Sequence, residues 1–122
     1  MHTSKIRLAL AFYVLLVVLM SLLPGPARGP SLGKLGDVLH FLAYSGMAVL
    51  ALLSFGSKTA MLVSLLSAVG LGALLEWGQS FIPGRQMSFM DQIANTLGVL
   101  SGALFFRYQG HALMDWLRSC LK

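Results

Sequence analysis

The sequence predicts an all-α fold: a four-helix transmembrane bundle followed by a short C-terminal interfacial amphipathic helix. Three observations predict it. Hydrophobic residues make up 57% of the 122 positions and charged residues only 11%, with a mean hydropathy of +0.78, whereas soluble domains carry about 25% charged residues. Four stretches long enough to cross a bilayer are almost devoid of charge. The intervals between them are short, and two contain the turn-forming pairs Pro24-Gly25 and Pro83-Gly84. So few charges cannot solvate the surface of a water-soluble fold, which makes lipid the expected solvent.

A hydrocarbon core of about 30 Å requires roughly 20 helical residues at 1.5 Å each. The first helix is expected over residues 8–25, because no formal charge occurs between Leu8 and Ala27. The basic start (Lys5, Arg7) and the Gly25-Pro26-Ala27 stretch also have the layout of a secretory signal peptide. An uncharged run longer than a signal core, and prolines crowding the cleavage point, favour a retained helix. The second helix is expected over 37–56, where His40 is the group that titrates near neutrality once Asp37 is passed. The third, over 59–80, is apolar except for Glu76 and Gln79. The fourth, over 88–107, is apolar except for Asp91, Gln92 and Asn95. Beyond Arg107, residues Leu113, Trp116, Leu117, Cys120 and Leu121 form a one-face stripe opposite Asp115, Arg118 and Lys122, which predicts an interfacial helix over 111–121. The whole chain is read as a single domain.

Nine Lys and Arg against four Asp and Glu give a formal charge of +5. These basic residues stand singly between apolar runs, without the dense stripe or aromatic platform of a nucleic-acid surface, so no nucleic-acid partner is expected. Threaded through four spans, the chain places Lys5, Arg7, Lys58, Arg107, Arg118 and Lys122 on one side. Arg28, Lys34 and Arg85 fall on the other. The positive-inside rule then predicts cytoplasmic termini. With a single cysteine, Cys120, neither an internal disulfide nor a thiolate metal cluster is possible within one chain.

Ionisable groups within spans are functional candidates, because their insertion near mid-helix costs about 2.5–3.5 kcal/mol each. Here they gather at the outward end. Asp37, His40 and Tyr44 fall within roughly a 60° arc of the second helix. Glu76 and Gln79 share a face of the third. Asp91, Asn95, Gly98 and Gly102 fall within a similar arc of the fourth, and a glycine pair spaced i, i+4 permits close approach of another helix. Gly98 and Gly102 are therefore expected to face inward and to carry Asp91 and Asn95 with them. Arg85, in the Pro83-Gly84 turn, is near enough in sequence to pair with Glu76 or Asp91, or to await an anionic ligand.

The order Asp37-x-x-His40-x-x-x-Tyr44, Glu76-x-x-Gln79, Arg85, Asp91-x-x-x-Asn95-x-x-Gly98-x-x-x-Gly102 resembles the signature of VanZ-like membrane proteins over residues 8–106. Val38 departs from it, since a lysine commonly follows the first aspartate in that family. The resemblance implies a bacterial plasma-membrane protein linked to the cell envelope, in a family named for an accessory protein of teicoplanin resistance. It supplies no reaction.

On the residues themselves, Asp37, His40, Glu76 and Asp91 are the candidate catalytic groups, with His40 as base and a protonated carboxyl as acid. Tyr44, Gln79, Arg85 and Asn95 are the candidate contacts to a lipid-linked envelope precursor or glycopeptide reached from the bilayer. No helix carries a strong ligand motif such as His-x-x-x-His, so no metal or other cofactor is expected, although Asp37, His40, Glu76 and Asp91 have the chemistry to hold a divalent ion. The competing expectation is a buried network that fixes helix register, with His40–Glu76 and Arg85–Asp91 as its pairs and partner binding as the function. Transport fits less well, because coupling sites usually lie near mid-membrane.

Overall fold

The computed structural model of the chain describes residues 2–24 and 30–120, the side chains of His2 and residues 30–33 excepted. Arg28 and Lys122 of the charge balance, and the Gly25-Pro26-Ala27 stretch, lie outside the described residues. Among those described there are four helices and no strand: α1 (His2–Leu22), α2 (Pro30–Ser54), α3 (Lys58–Gln79) and α4 (Phe89–Cys120).

Contacts between helix ends establish an up-down-up-down arrangement. Arg7 Nε near the start of α1 donates to the Ser54 carbonyl at the end of α2, 3.2 Å away. Gln79 at the end of α3 donates to the Ser21 carbonyl at the end of α1. Short connections enforce this antiparallel order. Between α2 and α3, Ser57 is an extended N-cap whose hydroxyl accepts from Ala60 N–H at 3.1 Å. Between α3 and α4, Pro83-Gly84 forms a tight turn closed by Arg85 N–H to the Ile82 carbonyl at 3.0 Å. Gly84 has φ of 79°, the left-handed value that a type II turn requires at its third residue.

The polarity of the bundle is inside-out. Leu8, Phe12, Leu15 and Leu19 on α1 are each more than half exposed, as are Leu62, Val63 and Leu66 on α3. Glu76, Gln79, Asp91 and Asn95 are at most 1% exposed. Only an apolar solvent tolerates the first set outside, and only mutual satisfaction tolerates the second inside.

By length and apolarity α1, α2 and α3 can each cross a membrane. α4 has a less apolar sequence, but the charged and amide side chains of its first half, Asp91, Gln92 and Asn95, turn away from its exposed apolar face. Met90, Ile93, Leu97, Leu100 and Leu104 are exposed at spacings of three and four, while Asp91, Asn95, Gly98 and Gly102 are buried on the opposite side. Its outward face is therefore as lipid-compatible as those of its neighbours.

α2 and α4 form the closest pair. A Cβ added at Gly98 would run into the Phe41 carbonyl, and one added at Gly102 into the Ser45 carbonyl and to 2.9 Å from Ala48 Cβ. The inward-facing glycine groove is present as the spacing predicts. Tyr44, Met47, Ala48, Ala68 and Val99 fill the core beside it. On the other side of α2, Tyr13 of α1 donates to the Ala43 carbonyl at 3.0 Å, across Gly46.

Three boundaries differ markedly from the sequence expectation, the first being α1, which begins at His2 and not near Leu8. α2 begins at Pro30 instead of near Asp37, since proline at the first helical position has its φ preset and leaves no N–H to satisfy. α4 runs unbroken to Cys120, so the amphipathic C-terminal segment is its distal end and not a separately jointed helix. At 32 residues α4 is about 48 Å long, well beyond the hydrocarbon thickness. A lone glycine, Gly110, costs about 1 kcal/mol in a helix and does not terminate one.

Candidate functional site

Three helices deliver the polar cluster to one end of the bundle. His40 comes from α2, one turn above Tyr44, whose own side chain is 1% exposed in the core. Glu76 comes from the last turn of α3, while Asp91 and Asn95 come from the first two turns of α4. Because the glycine groove draws α4 onto α2, Asn95 Oδ1 reaches 2.9 Å from His40 Nδ1. On the other edge of the ring, His40 Nε2 lies 3.5 Å from Asp91 Oδ2. Glu76 Oε1 stands 4.0 Å from Nδ1. The side chain of His40 is 13% exposed, against 2% for Glu76 and 1% for Asp91, so the imidazole forms the accessible edge of the cluster.

The start of α4 organises both carboxylates. Ser88 N–H donates to Glu76 Oε2 at 3.0 Å. The Ser88 hydroxyl accepts from Asp91 N–H at 3.2 Å, an N-capping bond that satisfies one of the otherwise orphaned amides of the first turn. Two acidic groups at a helix N-terminus also meet the positive end of its dipole, which lowers the cost of burying them. Behind His40 runs a line of amides. Asn95 Nδ2 donates to Gln92 Oε1 at 3.5 Å, and Gln92 Nε2 donates to the Val69 carbonyl at 3.4 Å. Gly72 makes room for that line, because a Cβ there would meet Asn95 Nδ2 at 3.0 Å and Gln92 Oε1 at 3.1 Å.

A family model described as VanZ/LLP1 matches residues 8–113. The chain belongs to the VanZ/LLP1 family. No curated protein and no solved structure matches it. The matched stretch contains every residue of the cluster and ends within the distal part of α4.

Sequence reasoning grouped eight residues at this end of the VanZ/LLP1 chain, and the structure divides them. His40, Glu76, Asp91 and Asn95 converge. Tyr44 lies beneath them in the core, one turn along α2 from His40. Asp37 sits half-buried one turn before His40 and is not among the three side chains whose ligating atoms lie mutually within 4.8 Å, namely His40, Glu76 and Asp91.

Arg85 and Gln79 bond to the end of α1. In place of an ion pair with Glu76 or Asp91, the Arg85 guanidinium caps the end of α1, donating to the Leu23 carbonyl at 2.8 Å and to the Met20 carbonyl at 3.3 Å. Gln79 donates to Ser21 on the same helix end at 3.0 Å. The physical reason is that the last carbonyls of α1 lack helical partners, and a cation there also complements the helix dipole.

Sequence reasoning missed Ser88 and passed over Gln92 as a site residue. The signal for the first was present: Ser88-x-x-Asp91 ahead of an apolar run has the form of a capping box. Gln92 carried no comparable signal.

Proposed function

We propose that this is a multi-pass protein of the bacterial plasma membrane, with cytoplasmic termini, whose polar cluster binds the headgroup of an envelope lipid or lipid-linked glycopeptide precursor from the outer leaflet. The observation that carries this reading is the convergence of His40, Glu76, Asp91 and Asn95 from three helices at one end of the span. Interhelical polar contacts return only about 0.6–2 kcal/mol each, a poor return if stability were the sole purpose of three ionisable groups. The orientation rests on the basic residues, of which Lys5, Arg7, Lys58, Arg107 and Arg118 lie at the opposite end from the cluster. His40 at the exposed edge, backed by Asp91, supplies an acid–base pair to whatever headgroup oxygen or nitrogen it meets. A role in tolerance of glycopeptide antibiotics is the family-level expectation that fits such a ligand.

The test is reconstitution of the full chain with extracted bacterial envelope lipids, followed by mass spectrometry of retained and altered headgroups. Retention or turnover of one headgroup class by the wild type is expected, and His40→Gln and Asp91→Asn should abolish it with folded yield unchanged. A second reading, that the cluster exists to fix helix register around a partner-binding scaffold, draws on the near-complete burial of Glu76, Asp91 and Asn95. Loss of folded protein in most single variants, with no headgroup effect in the wild type, would decide for that second reading.

A further inference from the structure

The amide line behind His40 determines which ring nitrogen holds a proton. It starts at the Val69 carbonyl, which can only accept. Gln92 must therefore turn its Nε2 to Val69 and its Oε1 to Asn95. Asn95 in turn must offer Nδ2 to Gln92, which leaves Oδ1 facing the imidazole. Only a donor is compatible with that oxygen at 2.9 Å, so Nδ1 carries the proton and Nε2 is the nitrogen aimed at Asp91.

The spacing on the Nε2 side is informative. A charge-assisted hydrogen bond from an imidazolium to a carboxylate closes to about 2.7–2.9 Å, yet Nε2 and Asp91 Oδ2 stand 3.5 Å apart. Two ligand atoms bound to one ion at about 2.0–2.2 Å in tetrahedral geometry lie about 3.4 Å apart. Glu76 Oε1, whose nearest ring nitrogen is Nδ1 at 4.0 Å, supplies a third side, and one ligating atom from each of the three residues falls within 4.8 Å of the others. The surroundings match the outer shell of a metal site. The second ring nitrogen of His40 is held by a side-chain acceptor, and the far oxygen of Glu76 is held by Ser88 N–H at 3.0 Å.

We propose that His40 Nε2, Asp91 and Glu76 bind one divalent transition-metal ion, with Asn95 as the positioning residue that sets the histidine tautomer. One imidazole with two carboxylates is a donor set that suits Zn²⁺ or Mn²⁺. Three protein ligands leave a position at the exposed edge, and there the ion takes an anionic oxygen of the headgroup, a last step that rests on the headgroup reading above.

The test uses the full chain in detergent, stripped with a chelator and then titrated with Zn²⁺ or Mn²⁺ alone. Metal content by elemental analysis and thermal stability are read together. One ion per chain with a saturable rise in melting temperature is expected. Asp91→Asn and Glu76→Gln should each weaken binding at least about tenfold, and Asn95→Leu about 10–100-fold with unchanged stoichiometry at saturation. Substoichiometric uptake by the folded wild type overturns the proposal, as does uptake that both carboxamide variants leave unchanged; the wild-type arm decides even if a variant does not fold. Stoichiometric uptake without any headgroup retention sinks the headgroup reading and leaves the metal site standing. Headgroup retention by the stripped wild type, unaltered by added metal, sinks the metal's part in binding and leaves the headgroup reading standing.

Discussion

Replacing Gly98 or Gly102 with alanine should force α2 and α4 apart, and the displacement can be worked from the packing. A Cβ at position 102 would stand 2.9 Å from Ala48 Cβ, against about 3.5–4.0 Å for carbon atoms at their optimum. Subtraction gives a required shift of about 0.6–1.1 Å. At position 98 the obstacle is the Phe41 carbonyl, main chain that cannot rotate out of the way. Overpacking of this kind costs about 1–3 kcal/mol. The same displacement acts on the site, because Asn95 sits one turn from Gly98 on the same face. A 2.9 Å contact between His40 and Asn95 lengthened by about 0.6–1.1 Å reaches or passes the outer limit of a hydrogen bond and is much weakened.

Gly70 is the internal control. Nothing lies within 4 Å of the Cβ it would gain, and it is exposed in the middle of α3. Gly70→Ala should therefore be neutral or stabilising, by up to about 1 kcal/mol of helix propensity. Thermal unfolding in detergent, followed by the loss of the monodisperse species, provides the assay. Gly98→Ala and Gly102→Ala should each melt several degrees below the wild type, with Gly70→Ala at or above it. Equal stability of Gly98→Ala and wild type, or equal losses at Gly98 and Gly70, would refute the close-approach argument.

Other consequences are smaller in scale. Arg85→Gln removes two hydrogen bonds to the end of α1, so amide exchange over residues 19–23 should accelerate while α2 and α4 keep their protection; uniform acceleration across all four helices would contradict that local role. Ser88→Ala deletes the N-cap of α4 and should cost about 1 kcal/mol in thermal or denaturant unfolding, with Ser88→Thr or Ser88→Asp restoring most of it. Tyr13→Phe removes the bond to the Ala43 carbonyl at a cost of about 0.5–1.5 kcal/mol, since the ring remains packed over Gly46.

The parts legible in the sequence were those that lipid enforces. A polar side chain in a span must face another, so Glu76, Asp91, Asn95 and His40 could be assigned a common interior from position alone. Gly98 and Gly102 were legible because small residues one turn apart have a steric meaning independent of context. Arg85 was not legible. Its nearness in sequence to Glu76 and Asp91 suggested an ion pair, but its partners are main-chain carbonyls of α1, which no side-chain pattern marks. Every helix nevertheless ends with such carbonyls, and a loop arginine at the same end of the bundle is a ready partner. The early start of α2 was hidden because the charge-poor run that marked the helix opens only after Asp37, although Pro30 was the better signal.

The residues once grouped as a single site thus separate by the kind of partner they find. Side chain meets side chain in the cluster of α2, α3 and α4, where the glycine groove sets the spacing. Side chain meets main chain at four points along α1: Arg7 to Ser54, Tyr13 to Ala43, Gln79 to Ser21, and Arg85 to Leu23 and Met20. α1 is largely lipid-facing, with Ile6 buried and Leu10, Tyr13, Val14 and Val17 partly buried against the core, so directional bonds to carbonyls add to a thin packing contact. Stability of the site and attachment of α1 are therefore separable. Variants at Arg85 or Gln79 should loosen α1 and leave the His40 cluster assembled, whereas variants at Gly98 or Gly102 should disturb the cluster and leave the bonds at the end of α1 in place.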